Sequence, residues 1–98
     1  MASPREFKVG DLVSSVTGRD RGRCYLVWAV GEDSWLELVD GRTRRVENPK
    51  RKNPKHVRSL DHHAAELALK IAAGGYSSNT EVRKVIAEVT AAQEEDYR

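Results

Sequence analysis

A single cysteine, Cys24, among 98 residues excludes an internal disulfide as the staple of this fold. No apolar run approaches the ~20 residues that cross a bilayer, so no membrane-spanning helix is expected. Residues 1–6 lack the apolar core of a secretory leader, which makes the cytoplasm the expected compartment. Catalytic signatures are missing as well. There is no glycine-rich Lys-Ser/Thr phosphate loop, no Cys-x-x-Cys or His-x-x-x-His pair, and no carboxylate pair flanking an obvious cleft. Cys24 sits in an apolar run, where a free thiol behaves as a small hydrophobe rather than as a nucleophile activated by His56, His62 or His63. His62 and His63 are adjacent, so on a helix they point about 100° apart and cannot serve one metal from one face. Their expected place is a solvated first helical turn. A non-enzymatic protein with no cofactor and no metal is the expectation.

The charge that is present is unevenly placed. The chain carries 17 Lys or Arg and 15 Asp or Glu, a net of +2. Residues 1–58 hold 13 basic and 8 acidic side chains (+5), whereas residues 59–98 hold 4 and 7 (−3). Within the first part, residues 42–58 contain Arg42, Arg44, Arg45, Lys50, Arg51, Lys52, Lys55 and Arg58 against one acid, Glu47. Arg19, Arg21 and Arg23 alternate through an earlier loop. Such a surface attracts phosphate backbones, with a steep salt dependence. The competing account is a solvated face partly neutralised by Asp20, Asp40 and Glu47.

Periodicity changes near residue 59. Before it, short branched and aromatic runs separated by turns predict strands at residues 9–16, 24–30, 35–39 and 42–46, with a last one including His56 and Val57. Asp40-Gly41 reads as a hairpin turn. Both faces of the strand at 24–30 are apolar. Four or five strands in so short a segment predict a small, closed antiparallel barrel over residues 7–58. Residues 59–98 are expected to form a helical extension. Leu60, Ala64, Leu67, Ala68 and Ile71 share one helical stripe, with Ser59 or Asp61 as N-cap and Gly74-Gly75 as the stop. Ser78-Asn79-Thr80-Glu81 has capping-box spacing and starts a second helix with Val82, Val85, Ile86 and Val89 as its stripe, fraying from Gln93. The helices either cover an open side of the barrel, form a dimerising hairpin, or dock a ribosomal or other protein partner.

Val9-Gly10-Asp11-Leu12-Val13, then Val16-Thr17-Gly18-Arg19-Asp20-Arg21-Gly22-Arg23, then the strand from Tyr25 to Val30, resembles the KOW motif of ribosomal and transcription-elongation proteins. Asp40-Gly41-Arg42 and Asn48-Pro49-Lys50-Arg51-Lys52 extend the resemblance, over about residues 7–58, toward bacterial KOW-domain RNA-binding proteins similar to a small archaeal and eukaryotic large-subunit ribosomal protein. The resemblance implies an SH3-like barrel in which Gly22 permits a tight turn and Arg19, Arg21 and Arg23 beside it meet RNA, ribosomal RNA above all. Tyr25 stands where many relatives have a second glycine, which shifts the likeness toward the ribosomal type.

Physically, a loop without large side chains at Gly18 and Gly22 lets backbone N–H groups approach phosphates, while arginines offer planar forks. Tyr25, Trp28 and Trp35 are either core or base-stacking surface. The expected function is RNA binding through the arginine loop and the segment from Arg42 to Arg58. A protein-interaction adapter built on the barrel and the acidic helices is the alternative.

Overall fold

The central strand of the sheet comes from the run of branched and aromatic residues whose two faces are both apolar. In the computed structural model, which describes residues 6–74 and 78–97 with side chains to Ala91, this run is strand β2 (Cys24–Val30). It pairs with β1 (Asp11–Ser15) on one side and β3 (Leu36–Val39) on the other, Leu26 lying opposite both Leu12 and Val39. The remaining strands are β4 (Lys50–Lys52) and β5 (Val57–His63), separated by a 3-10 turn at Pro54–His56. All pairings are antiparallel and the order is β4-β3-β2-β1-β5. The fold is therefore mainly β with two helices, α1 (Ala65–Ala72) and α2 (Asn79–Tyr97).

The double-sided burial of β2 is explained by what covers each face. Val13, Tyr25, Val27, Leu36, Leu38 and Val57 of the strands form one cluster, with Phe7 packed against it. Leu12, Leu26, Val39 and Leu60 form the other, together with Leu67 of α1 and Val82 and Val89 of α2. Cys24 and Trp28 are partly buried against this second cluster, while Tyr25 is fully inside the first. The helices thus act as a cover for the sheet. No helix among the described residues is long and apolar enough to cross a membrane.

Several expectations change. The strands do not close into a barrel by pairing: β4 and β5 are the two edges of the sheet. Residues 42–46 are not a strand. The Asp40 carboxylate accepts the backbone N–H groups of Arg42 (2.9 Å) and Arg44 (2.8 Å), and these local bonds compete with a ladder. Lys50–Lys52 pairs with β3 instead, Leu38 opposite Lys50 and Leu36 opposite Lys52.

The segment from Ser59 is not helical until Ala65. It extends β5 along β1, with a register shift at Leu12/Val13 and a positive φ at Asp61 (58°). Pairing of an otherwise open β1 edge overrides the helical period, yet Leu60 still joins the same core as Leu67 because strand alternation puts it on the face opposite Val57. The N-cap is Ala64, whose N–H is taken by the Gly10 carbonyl (2.8 Å), and neither Ser59 nor Asp61 caps α1. His62 and His63 accordingly end a strand, with His63 Nδ1 2.8 Å from Asp11 Oδ1.

The second helix starts as its spacing requires. Glu81 N–H donates to Ser78 Oγ and Ser78 N–H to Glu81 Oε1, both at 3.2 Å. Its backbone is helical through Tyr97. Gly74 takes the left-handed φ (74°) of a helix stop, while Gly75 and residues 1–5 lie outside the described residues.

Candidate nucleic-acid interface

The loop between β1 and β2 is organised by its one acid. Asp20 is 7% exposed, and its carboxylate accepts from Ser15 Oγ (2.9 Å), Tyr25 OH (3.0 Å) and Lys52 Nζ (2.9 Å). Lys50 Nζ adds an ion pair at 2.9 Å. Burial raises the carboxyl pKa, but the bonds from Lys50, Lys52, Ser15 and Tyr25 outweigh it and hold Asp20 well below the ordinary carboxylate range. The Tyr25 hydroxyl is pushed up in turn, by burial first and by Asp20 second. With Asp20 drawn inward, its neighbours Arg19 and Arg21 are left exposed, and among the described residues no carboxylate pairs with them.

Backbone bonds then close the loop: Ser15 N–H donates to Arg23 O (2.9 Å), Gly22 N–H to Ser15 O (2.8 Å) and Arg23 N–H to Asp20 O (2.9 Å). Gly18 (φ 80°) and Gly22 (φ 89°) occupy the left-handed region, which an L side chain enters only at a cost. The amide of Gly22 is consumed by Ser15, so it is not the phosphate donor anticipated from a glycine-bounded loop.

The second loop, between β3 and β4, emerges at the same end of the antiparallel sheet as the first. Arg23 Nη1 reaches Thr43 Oγ1 (3.4 Å), which places the two loops side by side. Arg19, Arg21, Arg23, Arg42, Arg44 and Arg45 are thereby gathered, Arg44 being half-buried and the others exposed. Glu47 neutralises only part of this set, its Oε2 lying 3.2 Å from Arg45 Nε. Its carboxyl pKa is lowered by the Asn79 amide first and by Arg45 second.

Support for this second loop comes from α2, a role the charge pattern does not reveal. Buried Asn79 accepts the Val46 N–H through Oδ1 (2.8 Å) and donates to Glu47 Oε1 through Nδ2 (2.8 Å). Arg83 Nη1 donates to the Gly41 carbonyl (2.7 Å). A Cβ on Gly41 would lie 2.4 Å from the Asn79 carbonyl oxygen, and its φ is 78°. Gly41→Ala is therefore expected to destabilise by about 2–3 kcal/mol, dihedral strain plus a backbone clash. Gly22→Ala, with nothing within 4 Å, meets only the strain of about 1–2 kcal/mol. Urea unfolding of the two variants checks the order.

The remaining basic residues are not part of this set. Lys50 and Lys52 are spent on Asp20, Lys52 being 8% exposed and also donating to Ser15 Oγ (2.8 Å) and the Thr17 carbonyl (3.1 Å). Arg51 pairs with Asp33 and lies over the Trp35 ring, 4.8 Å from its centroid. Lys55 and Arg58 are exposed on the 3-10 turn and β5. Comparison of the chain with protein-family models and with curated proteins gave no match.

Proposed function

We infer that the protein is a non-enzymatic RNA-binding module whose contact face is the pair of arginine-bearing loops at residues 16–23 and 40–45. The observation that carries this is the inward commitment of Asp20 to Lys50 and Lys52. It leaves Arg19 and Arg21 unopposed beside the Arg23–Thr43 junction, with Arg42 and Arg44 across it. Guanidinium groups held on a short, internally bonded loop are suited to phosphate and to guanine edges. The five-stranded antiparallel sheet, with a glycine-bounded loop between its first two strands, supports an SH3-like barrel of KOW type, and with it ribosomal RNA as the target and the cytoplasm as the compartment. The adapter alternative has less support, because Val82, Val89 and Leu67 of the helices are spent on the sheet.

Anisotropy titration of a labelled RNA hairpin tests the reading. With about four to five phosphates contacted, log K should fall with log salt at a slope of roughly −3 to −4. Arg19→Glu/Arg21→Glu should lower affinity roughly ten- to a hundredfold and flatten that slope, with unchanged circular dichroism. A flat salt response of the native protein, or undiminished affinity in the double variant, overturns it. Co-sedimentation with ribosomal subunits at low but not high salt is the expected cellular counterpart.

A further inference from the structure

A second surface shares no residue with the arginine loops. A groove of about 950 Å³ runs between the β2–β3 turn and the segment from Asn53 to Ser59. Phe7, Val30, Trp35 and Val57 give it an apolar lining, and Lys55 and Arg58 bring cations to it. Val30 (40% exposed) and Trp35 (37% exposed) are among the large apolar side chains that the fold leaves open to solvent. Trp35 is also held in place: Arg51 lies over its ring, and its backbone N–H donates to Asp33 Oδ1 (3.0 Å). Asp33, one of the two carboxylates at the groove, is paired with Arg51, leaving Glu6 as the other.

We propose that this groove takes an unpaired nucleotide of a bound RNA strand, with its base against Trp35 and its phosphates beside Lys55 and Arg58. A fixed, half-open indole is a stacking platform for any base, and flanking cations make it one for nucleic acid rather than for an uncharged apolar segment. The position is continuous with the arginine loop. Val16 N–H, at the start of that loop, donates to the His56 carbonyl (2.9 Å) of the 3-10 turn that borders the groove. Lys52, one residue before Asn53, reaches back to the Thr17 carbonyl. The 3-10 turn that carries Lys55 is thus hydrogen-bonded to the loop that carries Arg19 and Arg21. The groove therefore adds a preference for single-stranded over fully paired RNA, and the proposal rests on the RNA-binding reading above.

Short oligouridine and a blunt RNA duplex, titrated separately, provide the test. Trp35→Ala is expected to weaken oligouridine binding about 5- to 100-fold while leaving duplex affinity unchanged. Trp35→Phe should keep most of the affinity, and oligouridine should quench native tryptophan fluorescence but not that of Trp35→Phe. Lys55→Glu/Arg58→Glu, on exposed positions, should weaken the same interaction without touching the core. If Arg19→Glu/Arg21→Glu weakens oligouridine binding but neither the Trp35 nor the Lys55/Arg58 variants do, the groove proposal fails and RNA binding stands. If native protein binds neither RNA, both fail.

Discussion

Asp20→Asn is expected to cost about 3–5 kcal/mol of folding stability, the penalty for removing one partner of a buried ion pair. The carboxylate and the Lys52 ammonium are each 9% exposed in their side chains, so the lysine left behind has little access to water. Lys50, 29% exposed, can turn to solvent and adds less. Against the 5–15 kcal/mol typical of a folded domain, a loss of this size removes from about a fifth to all of the stability. Urea unfolding followed by tryptophan fluorescence measures it, and a loss below about 1 kcal/mol would contradict the role assigned to the pair. Asp20→Asn/Lys52→Met should recover much of the deficit, since no buried ammonium is then left without its counter-charge.

Acid has the same effect by another route. The folded-state pKa of Asp20 is depressed, so its contribution is fully present above the ordinary carboxylate range and is lost as pH falls below it. The native protein should therefore lose stability steeply below about pH 4, and Asp20→Asn should lack that part of the acid limb. On the proposed RNA-binding reading, the affinity of this variant should also drop even though every arginine remains, because the loop that carries Arg19 and Arg21 loses the bonds that Asp20 accepts inside it.

Truncation after Gly74 is expected to abolish cooperative folding. Val82 and Val89 of α2 are buried against Leu12, Leu26 and Val39, with Val85 and Ile86 packed beside them. At about 1.5–3 kcal/mol for each fully buried side chain of this size, and part of that for the two others, the loss comes to roughly 5–8 kcal/mol. That equals much or all of the stability of a small domain. Asn79 and Arg83 go with it, so the loop at residues 40–47 loses its supports. Dispersed amide spectra and a sharp thermal transition should disappear. A truncated chain that melts cooperatively would show that the sheet stands without its cover.

Where the sequence was legible, one local rule acted alone. β2 matches its apolar run at Cys24–Val30, and the Ser78/Glu81 capping box is present as spaced, because alternation and capping depend on near neighbours. Where two rules competed, the distant one won. Leu60 lies on a helical stripe with Leu67 and Ile71, yet the chain there pairs with β1, whose edge groups need partners that no local helix supplies. Asp40-Gly41 has hairpin chemistry, but the local bonds that the Asp40 carboxylate accepts from Arg42 and Arg44, together with Asn79 and Arg83 of α2, hold the following residues as a loop.

The candidate interface divides in the same way. Composition and spacing alone determined that the basic charge belongs to residues 1–58 and that a glycine-bounded arginine loop lies between the first two strands. Only the tertiary structure decided which cations are free. Asp20 pairs with Lys52, 32 residues away, rather than with Arg19 or Arg21 on either side. A carboxylate withdrawn from water must take its counter-charge from whatever the fold brings inside, whereas arginines adjoining it in a surface turn gain more from hydration than from a solvent-screened pair.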